Sequence, residues 1–106
     1  MSRLVYENLR TVAIGATYTV LSTPLQHQSS IVKLVNRSTD DVFISTDGVN
    51  DMDIAPANSF WLYDETSNSP HEDNIYGAKG TQYYVKGAGS GNVYLVVKYN
   101  KVIQQT

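Results

Sequence analysis

Asn92-Val93-Tyr94-Leu95-Val96-Val97-Lys98-Tyr99 is made almost wholly of β-branched, aromatic and long apolar residues. In an extended chain Val93, Leu95, Val97 and Tyr99 fall on one face. That pattern, with no helical period, predicts a β-strand resting one side on a core. The same signal recurs upstream. Residues 31–36 place Val32 and Leu34 on one face and Lys33 on the other, and Arg37-Ser38-Thr39-Asp40 reads as a turn. Residues 41–45 follow with Val42 and Ile44 inward, so the two runs are expected to form an antiparallel hairpin.

Further strands are expected around Met52-Asp53-Ile54, at Phe60-Trp61-Leu62-Tyr63, at 74–76 and at 81–85. Between them lie a turn at Pro56, a long polar loop over 64–73, a turn at 77–80 and a glycine-rich hairpin tip at 87–91. Before residue 31, the runs 12–14 and 18–20 read as one first strand bent at Gly15, and 22–30, with Pro24 and several Gln and Ser, as a loop. The expected core is Val32, Leu34, Val42, Ile44, Phe60, Leu62, Val93, Leu95 and Val97.

Short strands with turns at close intervals and no helical stretch define an all-β chain. The fold expected is a single β-sandwich, jelly-roll or Ig-like, of seven or eight short strands with an extended N-terminal arm. Residues 1–10 form the arm, 11–100 the sandwich and 101–106 a polar C-terminal tail. The arm carries Leu4, Val5, Tyr6 and Leu9 among polar residues, and is expected to be ordered by a partner.

The chain has 106 residues, enough for one domain, and at 42% hydrophobic and 17% charged it is globular rather than disordered. It has no cysteine, which excludes disulfides and thiolate metal sites and leans toward a reducing compartment. Its apolar stretches are too short to span a membrane, and Met1-Ser2-Arg3-Leu4 does not open a secretory signal, so a soluble protein used without export is expected. A net charge of −2 argues against nucleic-acid binding. The charge is unevenly spread: residues 38–78 hold nine acidic residues and no Lys or Arg, and all eight basic residues lie outside. Two readings stand side by side, Asp placed in turns by its turn preference, and a negative end that meets a positive surface.

No motif carries catalysis. The glycines at 87–91 precede a strand, whereas a phosphate loop feeds a helix N-terminus, and Gly77-Ala78-Lys79-Gly80-Thr81 has the wrong spacing for a P-loop. Asp47, Asn50, Asp51 and Asp53 could offer oxygen ligands to a cation, but lack the glycine and bidentate Glu of an EF-hand. His71-Glu72-Asp73, Asp64-Glu65 and the loop residue His27 pair acid and base types only along the chain, and neighbours on a strand point apart. The expectation is therefore no catalytic, cofactor or metal site, and no enzyme. The eight tyrosines are an excess that suits interfaces, because the ring buries area while the hydroxyl keeps a wet rim. The residues expected to bind a partner are Leu4, Val5, Tyr6, Leu9, Trp61, Tyr63, Tyr83 and Tyr94. Trp61 reads as a core residue or as a sugar platform.

One resemblance rests on the order of pieces. These are Leu34-Val35-Asn36-Arg37-Ser38, Val42-Phe43-Ile44-Ser45-Thr46-Asp47-Gly48, Ile54-Ala55-Pro56 and Ser59-Phe60-Trp61-Leu62-Tyr63-Asp64 with Asn68. Gly77-Ala78-Lys79-Gly80-Thr81, Tyr84-Val85-Lys86-Gly87 and Gly91-Asn92-Val93-Tyr94-Leu95 follow. The stretch 31–99, about two-thirds of the chain, resembles small β-sandwich virion proteins of tailed bacteriophages. The resemblance implies a many-copy structural subunit of the virion, made in the host cytoplasm. It would bind capsid, neck or tail proteins and form homo-oligomers, with no nucleic acid or membrane as partner. A capsid decoration protein is the first reading, a neck, ring or tail-accessory subunit the alternative, and a glycan-binding module of a host-adsorption apparatus the third.

Overall fold

The computed structural model describes residues 2–21, 23–64 and 76–102. Nine strands are found among them: β1 (Ser2–Tyr6), β2 (Arg10–Ala13), β3 (Thr19–Val20), β4 (Ile31–Ser38), β5 (Val42–Ser45), β6 (Asp53–Ala55), β7 (Phe60–Asp64), β8 (Tyr84–Gly87) and β9 (Gly91–Val102). They make two sheets. Sheet A runs β1-β9-β4-β7, with β2 also paired to β9, and sheet B runs β3-β8-β5-β6. Every pairing is antiparallel.

The pairing is nested. β2 joins β9, β3 joins β8, β4 joins β7 and β5 joins β6, alternately in sheets A and B. The roll closes where β9 meets β4 and β8 meets β5. A chain folded as one long hairpin and rolled into two sheets is a jelly roll. The expected all-β sandwich is the fold, and of its two expected forms the topology is that of the jelly roll.

Several connections differ from the sequence expectation. β4 and β5 do not form a hairpin, because they lie in opposite sheets. Both alternate toward one shared core, so alternation alone cannot tell an in-sheet neighbour from a cross-core one. Residues 87–91 likewise carry the chain from sheet B to sheet A rather than tipping a hairpin. Gly91 has φ +137°, and a Cβ there would stand 2.5 Å from the Arg37 carbonyl oxygen. The crossing therefore needs glycine on both counts. The expected first strand is two strands in different sheets, β2 and β3.

The expected arm is also paired within the chain. Ser2–Tyr6 lies antiparallel to β9, Ser2 opposite Val102 and Tyr6 opposite Lys98. Strand β9 thus continues past the tail boundary expected at residue 101. The loop at 22–30 holds Leu25, which is buried with Leu21. It is stitched to 77–83 by bonds from the Leu21 N–H to the Tyr83 carbonyl, Leu25 N–H to Thr81 and Ser29 N–H to Gly77. Residues 74 and 75 of the strand expected at 74–76, and the loop of 64–73 after Asp64, lie outside the described residues, and Tyr76 stands in a turn.

The core holds Val32 and Leu34 of β4, Val42 and Ile44 of β5, and Val93, Leu95 and Val97 of β9, each at most 1% exposed. Ala55, Val85, Tyr83 and Trp61 complete it with Leu21 and Leu25. On β7 the expected facing is reversed: Trp61 is buried, while Phe60 and Leu62 are half exposed. All four residues from Phe60 to Tyr63 are apolar, so the sequence offers no polar mark to set the parity. Trp61, Tyr63, Tyr76 and Tyr83 form an aromatic cluster, with Trp61 edge-on to Tyr76 at 4.9 Å between centroids.

Candidate functional site

The inward turn of Trp61 and Tyr63 puts their neighbours on the outer surface of sheet A. Strand register then builds a grid there. Phe60 lies opposite Val35, Val35 opposite Tyr94, and Tyr94 opposite Thr11. The next row is Leu62, Lys33 and Val96, and the next Asp64, Ile31, Lys98 and Tyr6. Phe60 is 49% exposed, Leu62 48% and Tyr6 70%. Phe60, Leu62 and Tyr6 are the exposed large side chains of this grid, with half-buried Ile31, Val35, Tyr94 and Val96 between them.

The cations on this face lie across its rings. The Lys33 ammonium sits 4.7 Å from the Phe60 centroid, and that of Lys98 5.0 Å from the Tyr6 centroid. Their alkyl stems cover apolar surface while the charges stay in water. Among the described residues, exposed Arg37 at the end of β4 makes three cations on this face against the one carboxylate of Asp64. The face is therefore apolar and basic in a chain whose net charge is −2.

The outer face of sheet B is different. Phe43 and Ile54 lie side by side and are partly exposed, as is Val20 opposite Tyr84. Lys86 pairs with Asp51 at 3.1 Å and reaches over the Tyr18 ring, and the Tyr18 hydroxyl donates to Asp51. That hydroxyl bond, with Lys86 beside it, holds the Asp51 carboxyl below the usual carboxylate range. The Asp47 carboxylate accepts from the Val49 and Asn50 N–H groups and from the Ser45 hydroxyl. Those donors hold it well below the usual range too. Its oxygens are thus taken up by donors of their own loop. Among the described residues no group of three or more His, Cys, Asp or Glu stands together as a metal site. A small open hollow of about 160 Å³, lined by Ala16, Phe43, Lys86, Gly87 and Ala88, is below the usual size of a ligand pocket.

One buried charged group lies between β1 and β2. Glu7 and Arg10 pair at 2.7 Å with both side chains buried. The Glu7 carboxylate also accepts from the Gln26 N–H and lies 2.8 Å from His27 Nδ1. Arg10 donates on to the Thr23 and Pro24 carbonyls. Burial pushes the Glu7 carboxyl up, but the bonds from Arg10, His27 and Gln26 outweigh it, and the net shift is downward. The group clamps the 22–30 loop to sheet A. The Ser29 hydroxyl donates to the His27 carbonyl.

The residues expected to bind a partner divide between the two sides of the sheets. Tyr6 and Tyr94 reach the outer face of sheet A, and Leu9, 61% exposed, lies between β1 and β2. Val5 is half buried opposite Tyr99, and the Leu4 backbone pairs with Asn100. Trp61 and Tyr83 are corrections, and Tyr63 is half buried. Trp61 is 9% exposed and Tyr83 1%, with the Tyr83 hydroxyl donating to the Tyr76 carbonyl, and Tyr63 packs on the core. A ring sealed in the core cannot serve as a sugar platform. Phe60, Leu62, Lys33, Val35 and Val96 were not foreseen as surface residues of a site. Comparison with family models, with curated proteins and with solved structures found no match.

Proposed function

We propose that this chain is a non-enzymatic structural subunit of a tailed-bacteriophage virion, in the first place a capsid decoration protein. It works by protein–protein contact through the outer face of sheet A. The observation that carries the contact role is the grid of Phe60, Leu62, Val35, Tyr94 and Val96, crossed by Lys33 and Lys98. Exposed aromatic and aliphatic side chains supply the area that a protein contact buries, with Lys33 in the middle row and Lys98 in the row nearest β1. The virion setting is supported by the resemblance over residues 31–99, and the jelly roll is a fold that viral capsid proteins share with lectins and cupins. Because the fold hosts several functions, it supports the setting only together with the sequence pieces.

The test is the amount of this chain in purified particles relative to the major capsid protein, by quantitative mass spectrometry. Copies comparable with the capsid protein support decoration. A single ring's worth supports the neck or tail instead. Absence from washed particles overturns the virion reading.

A further inference from the structure

We infer that the outer face of sheet A is occupied by a second copy of this chain, which docks through the outer face of its sheet B. The inference rests on the contact role proposed for sheet A and names its partner. The two faces lie on opposite sides of one sandwich, so each copy presents both halves of the contact. Sheet A offers Phe60 and Leu62 with Lys33, Lys98 and Arg37 around them. Sheet B offers Phe43 and Ile54, with exposed Asp41 before β5 and exposed Asp47 and Asp51 after it. The cation on that side, Lys86, is already matched by Asp51.

Charge selects the pairing. Sheet A against sheet A would set Lys33, Lys98 and Arg37 against their own copies. Sheet A against sheet B sets those cations near the carboxylates of Asp41 and Asp47, and phenylalanine and aliphatic side chains against one another. The contact is heterologous, so it propagates into a ring or a stack rather than ending at a two-fold dimer. From strand spacing and rise, the grid spans roughly 400 Å² on each partner, in the range of weak, transient contacts. Association in free solution is therefore weak and salt-sensitive. On a particle, where neighbours are held close, the high effective concentration compensates.

The test is sedimentation velocity of the purified chain from micromolar to millimolar protein, at low and high salt, with two blocking variants. Leu62→Asp spoils sheet A and Phe43→Asp spoils sheet B, and both positions are exposed enough to accept the change. The wild type should form species beyond the dimer at low salt and lose them at high salt. Each variant alone should stay monomeric, and the two mixed should give a one-to-one dimer that grows no further, because each supplies the face the other lacks. Circular dichroism confirms that each is folded, and Leu62→Ser with Phe43→Ser replaces any variant that is not. A wild type that stays monomeric throughout overturns the inference, as does association lost in Leu62→Asp but untouched in Phe43→Asp, which marks a face-to-face dimer. Neither result bears on copy number in particles, which tests the virion reading alone.

Discussion

In sheet A, β9 runs for twelve residues and β4 for eight, and the two pair along the whole of β4. In sheet B no strand exceeds four residues, and β3 has two. The long sheet is held by its ladder and by the alternating core beneath it. The short sheet depends on polar fasteners at its strand ends. Asn36, wholly buried at the crossing from sheet A, donates to the Asp40, Ala55 and Pro56 carbonyls and accepts from the Ser38 N–H and hydroxyl. Ser45 and Asp47 close the loop after β5. The difference teaches where function has room. The outer face of sheet A is open to the proposed docking role and exposed Phe43 and Ile54 of sheet B to its counterpart, whereas the polar groups at the strand ends of sheet B are largely spent on holding it.

The sharpest challenge to this contrast is Glu7–Arg10, the buried ion pair that sheet A uses among the described residues. Arg10→Met should destabilise the fold by about 3–5 kcal/mol in urea denaturation, because it leaves the Glu7 carboxylate buried without its main partner. Glu7 also gives a pH signature. Its carboxyl titrates lower in the folded chain than in the unfolded one, so its contribution is complete above the usual carboxylate range and is lost as pH falls through and below that range. Glu7→Gln should flatten that part of the acid limb of the stability profile.

Within the ladder, Leu95→Ala should cost about 2–5 kcal/mol, the range for a truncated, fully buried leucine. At the fasteners, Asn36→Ala should cost about 1–3 kcal/mol, since it leaves buried carbonyls and an N–H without partners. If Asn36→Ala is neutral while Leu95→Ala is not, the two sheets are held alike and the contrast fails.

The sequence shows plainly the inward sets of β4, β5 and β9, because Val32 and Leu34 flank Lys33, and Val42, Ile44, Val93, Leu95 and Val97 take alternate positions in short β-forming runs bounded by turn residues. It does not show which sheet each strand joins. The four-residue turn after β4 looks like a hairpin turn, and the one contrary sign is Asn36, a polar residue in register with Val32 and Leu34 on the core face. The candidate site was legible only at Tyr6 and Tyr94. Its centre was hidden by the uniform apolarity of Phe60-Trp61-Leu62-Tyr63, where the wrong parity sends Phe60 and Leu62 inward and Trp61 out. The partners of Glu7 and Arg10 come from a loop whose path depends on the whole fold.

The central claim is that Phe60 and Leu62 serve docking and not folding. It is tested most directly by the Phe60→Ser/Leu62→Ser variant, measured for stability and for occupancy on particles grown with it. The expected result is a stability within about 1 kcal/mol of wild type, as for two surface substitutions, together with a marked fall in the fraction bound to particles. A variant that binds particles at full occupancy would contradict the account.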